Sequence, residues 1–517
     1  MASVITLAVL WTLVAQALAS SFNKSSLQTY PRKPRVFILS DISNEPDDQE
    51  SLTRYLLYAN QFQTEGIVAT TSFWLQDAIH PEDMLTVINA YGNVTQNLNQ
   101  HAPRDAKYPS GDHIRSLVRN GTAVSLTTYH LRYTYCLTCS CKVYGMAAVG
   151  KNVTLSDGGK LLLDRLQDDS KEPLWVLAWG GTNVLAQVLY HIHDTFSTTK
   201  AAALRSKLRV YAVSDQDDTG PWIRQQYPDI FYISSTHGWN QYGLAAWSGI
   251  SGESHYGMDN GGPDTTKVSH EWLRNNIQIG PYGKTAYPDY EYIMEGDTPT
   301  FLYLIQNGLG VPEHPEYGSW GGRYMKVNPS PTLNFNHYAD AADRVVGANN
   351  ETYTSNRAAI WRWRSAYQND FAARMQWSLP ANRSRANHHP VISVNGTSGL
   401  APMNLTAVIG STVTLDASAT VDPDGDRLSF RWFQYKEPTT NNWSVDSTVP
   451  ALNLTTSRGG QVVRVKIPEE NKTCNPGGFN PATCTLLHLV LEVTDNGVHP
   501  LTTYRRVLLQ MKKSTSS

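Results

Sequence analysis

The stretch that most constrains this chain is Arg35-Val36-Phe37-Ile38-Leu39-Ser40-Asp41-Ile42-Ser43-Asn44-Glu45-Pro46-Asp47-Asp48. An apolar run of strand character stops at an acidic turn. Leu52, Tyr55, Leu56 and Ala59 then recur with the period of one buried helical face. The turn holds four carboxylates within eight residues, Asp41, Glu45, Asp47 and Asp48. Open α/β sheets bind their ligands at such strand ends. Carboxylates this close repel one another unless protons or a cation neutralise them. The turn therefore reads either as an acidic cap on a surface helix or as a cation site.

The pattern continues through residues 34–380 as an α/β domain. Residues 65–71 read as a second strand, and Pro81 opens a helix with Met84, Val87, Ile88 and Tyr91 on one face. Residues 174–179 read as a buried strand ending at Gly180-Gly181-Thr182-Asn183, followed by a helix burying Leu185, Val188, Leu189 and Ile192. Residues 208–213 form another strand, ending at Ser214-Asp215-Gln216-Asp217-Asp218, and residues 230–234 a further one. This order predicts a doubly wound, mostly parallel sheet with its polar strand ends converging on one edge. The Asp215 turn reads either as a cap for the helix that follows or as a source of the general acid. Residues 340–380, with Trp361, Trp363 and Trp377, read as helical.

A polar linker, residues 381–390, separates this domain from short strands at regular spacing over residues 391–513. Turns such as Asp422-Pro423-Asp424-Gly425-Asp426 punctuate them, and an antiparallel β-sandwich is expected. That turn reads as structural rather than metal-binding, because it lacks the downstream glutamate of an EF-hand loop.

Forty-three Lys and Arg against 45 Asp and Glu give no electrostatic case for nucleic acid. Residues 1–19 read as a signal peptide, with an apolar run and a small-residue cleavage site at Ala17-Leu18-Ala19. No later stretch is apolar for long enough to span a membrane. Eleven N-x-[S/T] sequons between Asn23 and Asn471 fit a secreted glycoprotein. In that compartment Cys474 and Cys484, flanking a Pro/Gly/Asn-rich loop, are expected to form a disulfide. Cys136, Cys139 and Cys141 crowd into one short segment, where a zinc site would need a further ligand pair that does not lie nearby.

Several motifs, in this order, resemble one family. The strand–Asp41-x-Ser43-x-x-x-Asp47-Asp48–helix arrangement resembles the D-x-D-P-G-x-D-D turn of nucleoside hydrolases, Gly180-Gly181-Thr182-Asn183 resembles their G-P-L-T-N segment, and Asp297 is placed like their late aspartate. With Ser-Asp-Gln-Asp-Asp-Thr-Gly-Pro-Trp (214–222), Glu295-Gly296-Asp297-Thr298-Pro299 and Gly318-Ser319-Trp320-Gly321-Gly322-Arg323-Tyr324, nearly the whole mature chain is similar to secreted cellulose-binding proteins. Those proteins join a nucleoside-hydrolase-like domain to an immunoglobulin-like C-terminal domain. The resemblance implies calcium held by Asp48, the Thr182 carbonyl and Asp297, with Asp47 on sugar hydroxyls. The aspartate that serves that family as base and metal ligand falls here on Ser43, so Asp41 or Glu45 must substitute or the mechanism differs. Asn44, Asn183, Asp217, Asp218, Trp320 and Arg323 are further candidates for substrate contact, and Asp215 for the general acid. The leading expectation is a secreted, calcium-assisted hydrolase of a glycosyl bond in a carbohydrate. Its rivals are a polysaccharide-binding protein without catalysis and an extracellular nucleoside hydrolase. The sugar, the linkage and the oligomeric state are left open by the sequence.

Residues 124–142, which carry three of the five cysteines, match neither the helix before them nor the strand pattern after them. Val124-Ser125 is encodable as GTGAGT, a typical intron start, and the related proteins have a much shorter connection here, as the resemblance implies. The segment is therefore expected to be a retained intron, against the alternative of a cysteine-stapled loop at the rim of the site. Transcript sequencing should recover a message lacking it. An in-frame mature message, with matching peptides from secreted protein, overturns the expectation.

Overall fold

The computed structural model describes residues 26–122, 144–328, 334–380, 386–440, 449–469 and 486–512. The expected signal peptide, residues 124–142 and all five cysteines lie outside these residues.

Eight strands form the main sheet in the order β3-β2-β1-β4-β5-β6-β8-β7. They are β1 (Arg35–Ser40), β2 (Gln63–Ala69), β3 (Val118–Asn120), β4 (Leu174–Ala178), β5 (Leu208–Ala212), β6 (Phe231–Ser234), β7 (Tyr324–Lys326) and β8 (His337–Asp340). All pairings are parallel except β7 with β8. The doubly wound expectation therefore holds. The order reverses between β1 and β4, which makes their carboxyl ends the switch point where such sheets bind ligands. Both faces of the sheet are covered, so β1 reads as an unbroken apolar run: Val36 and Ile38 enter one core, Phe37 and Leu39 the other.

Helix α1 (Asp47–Leu57) leaves the acidic turn, and α2 (Pro81–Gly92), α3 (Asp157–Gln167), α4 (Asn183–Thr195), α5 (Arg364–Trp377) and shorter helices complete the layers. The expected helix over residues 340–380 is only partly formed. β9 (Asp343–Val346) and β10 (Thr352–Ser355) make a hairpin ahead of α5. β-Branched Val345, Val346, Thr352 and Thr354 favour strands, and Asn350 turns the chain at φ 63°. Trp361, Trp363 and Trp377 are buried core residues.

The C-terminal part is a sandwich of a four-stranded sheet, ordered β13-β19-β18-β15, and a three-stranded sheet, β14-β17-β16, around Leu415, Val463, Leu489 and Leu509. Here β13 is Met403–Val408, β14 Thr412–Asp416, β15 Ser429–Tyr435, β16 Asn453–Ser457, β17 Val462–Lys466, β18 Leu486–Thr494 and β19 Thr502–Lys512; β11 (Ser393–Val394) and β12 (Thr397–Ser398) precede them. The pairing is antiparallel throughout, except that β13 runs parallel to β19. Of the polar linker, residues 386–390 are packed: Asn387 bonds Asp495 at 2.8 Å, and His388 pairs with Asp424 at 2.9 Å and stacks on Trp377. In the Asp422 turn, the Asp422 carboxylate accepts the amides of Asp424 (2.9 Å) and Asp426 (3.0 Å), and ligand atoms of Asp422, Asp424 and Asp426 also lie within 4.8 Å of one another.

The sandwich is fused to the α/β layers through buried polar groups. Fully buried Asp343 accepts from Arg323 (2.6 Å), Arg362 (2.7 Å) and, across the interface, the Tyr435 hydroxyl (2.6 Å). Burial pushes its pKa up, but the two guanidiniums outweigh that and hold it below the usual carboxylate range. Arg506 reaches back to the carbonyls of Leu309 (2.8 Å) and Tyr317 (2.9 Å). Asp343→Ala leaves two buried guanidiniums without their shared anion and is expected to cost about 3–5 kcal/mol in urea denaturation. A loss under about 1 kcal/mol would place the interface's stability elsewhere.

Candidate functional site

At the β1/β4 switch point lies a cavity of about 300 Å³. Its floor is carboxylate: Asp41, Glu45, Asp47, Asp48 and Asp297 line it, with Asn44 and Gln216 beside them. The local chain explains the convergence. After β1 the backbone turns at Asp41, whose carbonyl accepts Asn44 N (3.2 Å), and Ser43 takes the left-handed conformation, φ 79°. Ser40 bonds the Asp48 carboxylate and so ties the strand end to the first turn of α1. Asp297 arrives from the far side, at the start of the short helix Thr298–Leu302. Two glycines permit the approach. A Cβ on Gly180 would sit 2.6 Å from Asp41 Oδ1, and one on Gly296 2.6 Å from Asp47 Oδ2.

Among the described residues, no Lys or Arg lines this cavity. Burial raises the Asp41 pKa to about 6. Burial, then Glu45 and Asp41, raises that of Asp47 to about 8. Asp48 is pushed well above the carboxylate range by burial and by Asp41 and Asp47, and Asp297 by burial and by Asp48, Asp47 and Asp41. Ligand atoms of Asp47, Asp48 and Asp297 lie within 4.8 Å of one another. Asp41 Oδ2 and Asp297 Oδ2 are buried without a hydrogen-bond partner. A hard, oxygen-seeking cation fits this donor set, since it would meet the orphaned oxygens and relieve the mutual repulsion.

Above the acidic floor the walls are aromatic. Trp179 and Trp247 lie deep, and Trp74, Tyr242, Tyr256 and Tyr292 stand around the mouth with Asn240 and His255. Sequence reasoning missed these residues. Trp74 follows β2, while Asn240 and Tyr242 belong to the loop after β6, so only the sheet order brings them together. The available signal was tryptophan in otherwise polar loops, in Ser72-Phe73-Trp74 and Gly238-Trp239-Asn240-Gln241-Tyr242.

The other expected site residues do not line the cavity. Asp215 is held by Arg224 in two bonds of 2.7 and 2.5 Å. Asp217 accepts the Thr219 amide (2.9 Å) and hydroxyl (2.5 Å) at the start of the helix that follows, and Asp218 accepts Met146 N (2.8 Å). Thr182 bonds Thr219 through its hydroxyl (2.7 Å), and its carbonyl accepts Ala186 N (3.0 Å) in the first turn of α4. Asn183 is buried and bonds Thr71 at 2.7 Å. Trp320 is fully buried and Arg323 is committed to Asp343. Their glycine-rich loop packs under the sandwich instead of facing solvent.

Fold and floor together define a nucleoside-hydrolase-like α/β protein carrying a C-terminal β-sandwich. Residues 35–324 match the family described as "Cellulose-binding Sde182, nucleoside hydrolase-like domain", and residues 412–511 match "Cellulose-binding protein Sde0182, C-terminal domain". The chain belongs to this family. It is similar to a nucleoside hydrolase-related hypothetical protein from Saccharophagus degradans that is associated with carbohydrate metabolism. The two are 30% identical over 93% of this chain and 100% of the other, with a TM-score of 0.71. The type III effector protein XopQ, solved in complex with adenosine diphosphate ribose, is 13% identical over 68% of this chain and 96% of its own. Its TM-score of 0.30 is too low to bear on the site. No curated protein matches the sequence.

The raised carboxylates set a pH dependence for chelated protein. Between the ordinary value of 3.8 and about 8, the folded state keeps protons on Asp41 and Asp47 that the unfolded chain has lost. Stability therefore falls as pH rises through that window. EDTA-treated protein should melt lower at pH 8 than at pH 5, and Asp47→Asn should flatten the fall. A flat or rising trend in the chelated wild type contradicts the assignment.

Proposed function

We propose that the chain is a secreted hydrolase that takes the end of a carbohydrate chain into this cavity and cleaves a glycosyl bond. Calcium would be held by Asp47, Asp48 and Asp297. When bound, such an ion supplies charge neutralisation among the carboxylates and oxygen coordination for a sugar hydroxyl or water. The observation that carries the reading is Asp41: a cavity-lining carboxylate with a buried, unpartnered oxygen beside the carboxylates that would hold the ion. In this reading Asp41 takes a proton from the attacking water as the water oxygen bonds to the anomeric carbon. Glu45, half-buried at the same cavity with its pKa raised by burial and by Asp41, gives its proton to the departing oxygen as the glycosyl bond breaks. The neighbouring carboxylates favour the positive, oxocarbenium-like transition state. Asn44, Gln216 and Asn240 supply hydrogen-bonding groups for sugar hydroxyls.

A second reading, polysaccharide binding without turnover, is favoured by Ser43 and by the family's name. The position that the resemblance gives to the base carries a hydroxyl, and that hydroxyl bonds Asp83 rather than lining the cavity. Release of reducing sugar from a panel of wall polysaccharides and nucleosides separates the two. Hydrolysis is expected with calcium and not with EDTA, and Asp41→Asn should lower it by at least about 100-fold without loss of binding. Binding without turnover in the wild type favours the second reading, and cleavage of nucleosides alone would redefine the substrate.

A further inference from the structure

From the cavity mouth outward runs an aromatic cluster that the hydrolytic chemistry does not use. Phe73 is 38% exposed, Trp74 41% and Trp239 53%, in a structure where most large apolar side chains are buried. The Trp74 and Trp239 ring centroids are 6.0 Å apart, with planes within 16°, and Phe73 meets Trp239 edge-on at 4.7 Å. The cluster is held in place. The Trp74 indole N–H donates to the Tyr242 hydroxyl at 3.1 Å. The loop bearing Trp239 is anchored two residues earlier, where His237 Nε2 meets the Ser214 hydroxyl at 2.9 Å. Ser214 in turn accepts the Trp247 indole N–H at 3.1 Å. Two loops, after β2 and after β6, thus present fixed aromatic faces to solvent, and exposed apolar clusters of this kind mark binding surfaces.

Continuity and charge identify the occupant. Trp74 belongs both to the cavity wall and to the cluster, so a ligand leaving the cavity on that side passes over the rings. The acidic floor, without Lys or Arg in the lining, disfavours phosphate and other anions. Consecutive pyranose rings of a glucan, neutral, hydroxylated at their edges and apolar on their faces, match both the hydrogen-bonding groups of the cavity and the exposed ring faces.

We infer that Phe73, Trp74 and Trp239 form an outer subsite that holds the second and later sugar rings of a chain whose end occupies the cavity. The protein then selects for chain length. This rests on the carbohydrate reading of the cavity, and the test keeps the two apart.

The test uses the whole protein with saturating calcium, with Asp41→Asn suppressing turnover, titrated calorimetrically with glucose and with cello-oligosaccharides of two to six units. Affinity should rise with length. Phe73→Ala with Trp239→Ala, both outside the cavity lining, should weaken the hexamer by about tenfold or more while leaving the glucose affinity within about twofold. Trp239→Phe should restore part of the loss, and an unchanged calcium isotherm shows that each variant is folded. Glucose bound as tightly as the hexamer when Phe73 and Trp239 are both intact overturns the outer subsite and leaves the cavity reading standing. A double variant with full length dependence also overturns it. Calcium binding with no sugar bound at any length overturns both, and hexamer binding lost together with glucose binding would place the rings in the cavity's own support.

Discussion

The structure depends on how it treats buried negative charge. In most places the solution is arginine: Glu65 meets Arg35 at 2.7 Å, Glu295 meets Arg54 at 2.7 Å, and Asp370 meets Arg374 at 2.8 Å. Asp343 is shared by Arg323 and Arg362. Breaking any of these would strand a charge in a low-dielectric interior, which costs far more than a surface pair is worth. At the β1/β4 switch point the same chain gathers Asp41, Asp47, Asp48 and Asp297, with no guanidinium lining the cavity among the described residues. The carboxylates there stay protonated to unusually high pH or require a cation from outside. A scaffold that meets many buried carboxylates with arginine leaves this cluster without one, and strongly perturbed carboxylates in a cleft mark functional sites.

What the sequence made legible follows from the range of each interaction. The β1 run, the acidic turn and the face of α1 are local, and periodicity alone placed them. Parallel strands buried on both sides leave continuous apolar runs, so 174–179 and 208–213 appear nearly where β4 and β5 lie. The five carboxylates that line the cavity floor were all singled out in the sequence, because four share one turn and Asp297 carries a family motif. The aromatic walls were not legible. They come from loops more than 150 residues apart, and no local pattern separates a tryptophan at a cavity mouth from one in a core. The reverse error has the same origin. Trp320 and Arg323 look like a surface loop until the sandwich covers them, and the Asp215 turn looks like a second acid site until Arg224, nine residues on, folds back onto it.

The sandwich acts on the site only indirectly. Tyr435, Val490 and Tyr504 enter the same apolar core as Ile38, Trp179 and Phe301, so the two parts share one packed interior rather than a flexible joint. The Trp179 indole bonds Thr300 at 2.9 Å, and the Thr300 hydroxyl also bonds the carbonyl of Asp297 at 2.7 Å. Packing around Trp179 and Phe301 therefore fixes the helix start that presents Asp297 to the acidic floor. A carboxylate cluster with this much mutual repulsion keeps its geometry only if the backbone under it cannot relax. The core shared with the sandwich supplies that restraint, and it gives the second domain a physical role in the site although none of its described residues lines the cavity.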